Sequence, residues 1–162
     1  MIAPTLRRAT DADRDLLDRL WLMFRHDMSE FNGALPSADG TFRSEALQAA
    51  VVDPGSATFI VELDDHAVGL VIVRALDEPV RVLSRFFVVR GARRSGVGLA
   101  AVHQLLVLYP GRWTVAFQAG NTAAGAFWRN VAALGSAEWI EERRPVPGRE
   151  DLPGDTWIEF SG

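Results

Sequence analysis

Three arginines and three glycines lie together in VRGARRSGVGLA, residues 89–100, with apolar runs on either side. A plain turn needs one or two glycines and no cluster of cations. Arg90, Arg93 and Arg94 with Gly91, Gly96 and Gly98 suit a different task, the cradling of a pyrophosphate. An apolar helix starts at Gly96, and helix N-termini leave about four backbone N–H groups without partners at the positive end of the helix dipole. Glycine at 96 and 98 removes Cβ atoms that would hold a phosphate off those amides, and Arg93 and Arg94 add charge at the mouth. Charge-assisted hydrogen bonds contribute roughly 1.5–3 kcal/mol each, so about four or five suffice for micromolar binding after entropy losses. The dinucleotide fingerprint G-x-G-x-x-G is not met. It ends here on Ala101, and these glycines fall late in the chain rather than after the first strand.

Such a cradle needs a strand before it and a helix after it, and the patterning predicts both. VRVLSRFFVV (80–89) is nearly continuous apolar β sequence, as in a central strand covered on both faces, and residues 96–109 form an apolar helix that stops at YPG. Upstream, TLRRA (5–9) predicts a strand, and Thr10 or Asp11 caps a helix whose apolar face is Leu16, Leu17, Leu20, Trp21, Phe24, Met28 and Phe31. NGALPSADG (32–40) is a loop, and TFRSEALQAAV (41–51) a second helix with a capping-box start. ATFIVEL and AVGLVIVRAL around DDH read as a hairpin. RWTVAFQ is a strand, NTAAGAFWRNVAAL a helix capped by Asn121, and EWIEERR and DTWIEF are strands around the loop 145–154. The order β-α-α-β-β-β-α-β-α-β-β describes an α/β fold with a mixed sheet in one domain, residues 1–162.

The formal charge of −4 argues against a general nucleic-acid binder. No cysteine is present, which excludes thiolate catalysis, acyl-enzyme thioesters and thiolate zinc sites. The carboxylates are scattered and the three histidines isolated, so no metal site is expected. His66 falls in a turn and His103 on a helix surface, and neither is given a catalytic role. With no apolar leader and no run long enough to span a bilayer, the expected location is the cytoplasm, without membrane contact.

FFVVRGARRSGVGLAAVHQLL (86–106) resembles the acetyl-CoA motif of the GNAT N-acetyltransferases, whose core is Gln/Arg-x-x-Gly-x-Gly/Ala at a helix start. Here that core is Arg93-Arg94-Ser95-Gly96-Val97-Gly98. NTAAGAFW (121–128) is similar to the family's second motif, with Asn121 and the aromatic pair Phe127 and Trp128, and a strand separates the two motifs. The resemblance implies a sheet of about seven mostly antiparallel strands, splayed between the fourth and fifth, with about four helices. Acetyl-CoA would be cosubstrate, its pantetheine arm bonded to main-chain atoms around Phe87 and Val89 and held from the other side by Asn121. An N–H near Val88 would face the thioester oxygen. The implied reaction is direct attack of a primary amine, on a small molecule or a peptide, in a ternary complex; homodimers are frequent in the family.

Two positions depart from the family pattern. The usual Tyr acid is Trp128, and the usual strand Glu is replaced by Ser84 and Arg85. Tyr109, at the far end of its helix, is a poor substitute, although a coenzyme thiol with pKa near ~8.5 leaves unaided at neutral pH. Candidate bases are Glu30 and Glu62, and His26, Asp27 and Glu30, three or four residues apart, form a patch able to attract an ammonium group. The alternatives are an acyl-CoA-binding module without catalysis, or a dimerisation domain without ligand.

Overall fold

The computed structural model describes residues 3–162. Seven strands form one sheet: β1 (Thr5–Arg8), β2 (Ala57–Leu63), β3 (His66–Arg74), β4 (Val80–Val88), β5 (Arg112–Phe117), β6 (Ile140–Arg144) and β7 (Asp155–Ser161), in the order β1-β2-β3-β4-β5-β7-β6. Only β4 and β5 run parallel; the other pairs are antiparallel. Helices α1 (Arg14–Asn32) and α2 (Glu45–Val52) cover one face, and α3 (Val97–Leu108) and α4 (Thr122–Gly135) the other.

Period-two alternation between two buried faces explains why the middles of β2 and β3 are apolar on both sides. Phe59, Val61, Val71 and Val73 point into the core under α3 and α4, while Ile60, Leu70 and Ile72 point into the core under α1 and α2. The β2–β3 turn has positive φ at both Asp64 (49°) and Asp65 (63°), the conformation a two-residue hairpin turn requires.

In β4 the alternation breaks. Ile72 pairs with Arg85 and Val73 with Leu83, so Ser84 is an extra residue, a bulge. Leu83 and Phe87, four apart, would share a face in a regular strand, yet Leu83 packs under α3 and α4 and Phe87 under α1. The bulge also marks the splay. β4 pairs with β5 only from Val80↔Arg112 to Leu83↔Val115, and the two strands part beyond it.

Two element boundaries differ from the expectation. A 3-10 turn (Asp11–Asp13) precedes α1, because the Asp13 carboxylate accepts the Thr10 N–H (2.8 Å) and the Arg7 guanidinium. The second helix starts at Glu45 rather than 41. Asp39 accepts both the N–H and the O–H of Thr41, which closes a loop there instead of opening a helix. Glu45 is thus the first helical residue and pairs with Arg43, not with a capping box.

Candidate active site

The splay opens a cavity of about 290 Å³ between the ends of β4 and β5, walled by α1, the start of α4 and the first residue of β7. Its edge on β4 follows from strand alternation. The Val89 N–H donates to Val68 O (2.8 Å), and Phe87 O lies against Gly69, so both residues face β3. The main-chain groups of Phe86 and Val88 therefore face the side from which β5 has parted. Phe87 and Val89, the expected centres of main-chain contact, are used by β3, whereas the N–H groups of Phe86 and Val88 point toward the gap.

Gly96 caps α3 with φ 86°, a left-handed conformation that suits glycine, and a Cβ built there meets nothing within 4 Å, so the protein leaves open space at the helix tip. A Cβ at Gly98 would lie in ordinary van der Waals contact with Phe127 (3.4 Å) and Phe86 (3.6 Å), so an aromatic floor lies directly beneath the first turn of α3. In that floor Phe86 stacks on Phe127 (5.5 Å, 16°), and Trp128 meets both edge-on. Val97 is buried beneath the turn, and Ser95 Oγ donates to Ala92 O (2.8 Å) to brace it. The N-cap of α4 is Asn121, whose Oδ1 accepts the Ala124 N–H (3.0 Å), and it lines the cavity with its amide donors unused by the protein among the described residues.

The two neighbouring arginines divide their work. Arg94, with φ 59°, makes no ion pair among the described residues. Arg93 is tied inward: its Nε donates to Val88 O (2.7 Å) and its Nη2 to Asp27 Oδ2 (2.6 Å), while Arg90 Nε donates to Asp27 Oδ1 (2.9 Å). Asp27 is buried at 9% exposure on the packed face of α1, continuing Leu17, Leu20 and Phe24. It anchors the 90–96 loop, with each carboxylate oxygen engaged by an arginine.

The other expected acceptor residues lie elsewhere. His26 is exposed, and Glu30, 66% exposed, lies 3.9 Å from Arg90 outside the cavity lining. Glu62 on β2 is held by Arg7 Nε (2.9 Å), two strands from the splay. Tyr109 packs against Phe59 at the far end of α3. In their place the cavity holds Arg25, Arg85 and one carboxylate, Asp155, whose pKa is raised because burial disfavours its charged form. Asp155 opens β7 after a loop of little pattern, so spacing alone does not find it.

The sequence matches the model of the Acetyltransferase (GNAT) family over residues 18–132. The chain belongs to that family, and its chemistry is acyl-CoA-dependent acetyl transfer. Solved structures agree on the fold. An acetyltransferase from Thermus thermophilus superposes with TM-score 0.72 at 21% identity, covering 99% of this chain and 98% of that one. The ribosomal L7/L12 α-N-protein acetyltransferase RimL, in complex with coenzyme A, gives 0.73 at 13% identity, covering 99% and 95%. A PaiA N-acetyltransferase from Thermoplasma acidophilum, also with coenzyme A, gives 0.68 at 11%, covering 99% and 100%. None of the curated protein sequences matches this chain. Among the described residues no helix is long and apolar enough to cross a membrane.

Proposed function

We propose that this protein acetylates a primary amine by direct attack on acetyl-CoA bound in the splay. The parting of β4 from β5 after Leu83↔Val115 carries the reading, since it leaves the N–H groups of Phe86 and Val88 facing a gap between the two strands. The residues fit the coenzyme: an open helix tip at Gly96 and the unpaired Arg94 for the pyrophosphate, and open main-chain donors with the Asn121 amide for the pantetheine. When bound, acetyl-CoA supplies an activated acetyl carbon.

The protein's own part is orientation and two electrostatic tasks. Proximity offsets about 7–11 kcal/mol of the barrier. The Val88 N–H stabilises charge that develops on the carbonyl oxygen. Asp155, its pKa raised above the ordinary carboxylate value by burial, accepts the proton that frees the amine. The nitrogen then bonds to the acetyl carbon, the C–S bond breaks, and the proton released as the amide forms neutralises the leaving thiolate. Trp128 offers no acid for that last step, consistent with a thiolate that leaves unaided. Cytoplasmic residence and a homodimer accompany this reading, the second open to light scattering.

Calorimetry with coenzyme A and a thiol-release assay over a panel of amines test it. The wild type binds and turns over, and Gly96→Glu, which fills and charges the cradle, loses binding. Absence of binding at about 1 mM coenzyme overturns the reading.

A further inference from the structure

The two walls of the cavity carry opposite charge. On one wall stand Arg25 from α1 and Arg85 from β4. Arg25 lies by the Trp21 ring, 6.0 Å from its centroid, and its Nε is buried with no hydrogen-bond partner. Arg85 reaches only Ser84, whose carbonyl and hydroxyl oxygens accept from Nη1 at 2.6 and 3.1 Å. Neither arginine has a carboxylate partner among the described residues; Glu45, the acid on α2 that senses Arg25, pairs with Arg43. Burial, together with repulsion from Arg25 and Arg74, holds the Arg85 guanidinium below its ordinary range. Arg74 lines an adjoining cavity of about 430 Å³ that shares Ser84 and Arg85 with the first. Half-buried guanidiniums with unmet donors are costly until an anion completes them, and a carboxylate matches their fork in both charge and shape. Across the cavity Asp155 is the sole lining carboxylate, and burial alone perturbs it, so no arginine neutralises it.

We propose that the acceptor is a small amine that also carries a carboxylate, as a free amino acid does. The proposal rests on the acetyl-transfer reading above for the orientation of the substrate. Arg25 and Arg85 hold the carboxylate, and Asp155 receives the ammonium group. The volume, about 290 Å³, accommodates the amine and carboxylate of a small molecule beside the acetyl end of the coenzyme.

Matched pairs test this: free amino acids against their carboxamides, with an aminoalkylphosphonate and a short peptide as further arms. The carboxamide has the less basic amine, so it holds more free amine at neutral pH, and intrinsic reactivity alone favours it. We expect the acids to exceed their amides at least about tenfold in kcat/KM, carried in KM, and Arg85→Gln and Arg25→Gln each to erase most of that ratio. Calorimetric titration of acids and amides onto protein saturated with coenzyme A reads the same preference without turnover, so a failure of catalysis is separated from a failure of this assignment. Equal or better use of the amide, an acid preference that survives in Arg25→Gln/Arg85→Gln, preference for the phosphonate or the peptide, or no binding of any acid at about 10 mM overturns it.

Discussion

Asp27→Asn removes the charge that joins α1 to the loop before α3, and its effect can be worked from three distances. Asp27 accepts from Arg93 at 2.6 Å and from Arg90 at 2.9 Å, and the same Arg93 donates to Val88 O at 2.7 Å. Two charge-assisted bonds contribute about 3–6 kcal/mol before screening. The arginine side chains are 69% and 38% exposed, so solvent reduces this by more than half, to about 2 kcal/mol. In a domain of this size that lowers Tm by about 4–8 °C. A double-mutant cycle with Arg93→Gln, read by calorimetric unfolding, isolates the pair, for which we expect a coupling of about 1 kcal/mol. A Tm within about 1 °C of wild type, or strictly additive single mutants, refutes the role of Asp27 as anchor.

Arg94→Gly relieves a left-handed φ of 59°, about 1–2 kcal/mol, against about 0.4–1 kcal/mol of added unfolded-chain entropy, so it is expected to stabilise the fold by less than about 1.6 kcal/mol while weakening coenzyme binding; denaturant midpoints and calorimetry give the two signs separately. Asn121→Ala removes the cap on the Ala124 N–H and is expected to cost about 1 kcal/mol together with coenzyme affinity, measured in the same two assays. Asp155 has a raised pKa in the fold, so its contribution to stability is present below the ordinary carboxylate range and is lost as pH rises through the raised value. Asp155→Asn should flatten that section of the stability profile, raise neutral-pH stability by less than about 1 kcal/mol, and abolish the rise of kcat with pH; an unchanged pH–rate profile removes Asp155 as base.

Element order and the open turn at Gly96 are legible in the sequence because each rests on local signals: apolar runs, a glycine at a positive-φ position, an Asn before a helix; the splay enters there only through the family resemblance. Pairings between distant residues are not. Composition groups Asp27 with its polar neighbours His26 and Glu30, although its spacing from Leu20 and Phe24 places it on the apolar stripe, and its partners lie more than 60 residues away. Glu62 carries the same composition whether it faces a pocket or Arg7, and only the β1–β2 register decides. The main-chain groups facing the gap depend on a one-residue phase, and hydrophobicity does not report phase in a strand apolar on both faces. In the sequence Arg85 stands out only as a missing glutamate; that it lines one cavity with Arg25 follows from the bulge at Ser84, which shifts every residue after it.

The sheet is held together at its middle by four residues of parallel pairing, with β1 to β4 on one side and β5, β7 and β6 on the other. Within β4 and β5, amide exchange is expected to be faster beyond the open end of this short seam than along it. A ligand lying along the parted strands bridges both halves at once. On the proposed reading the coenzyme would act as a zip fastener, raising the resistance of the whole fold to unfolding with its concentration relative to Kd.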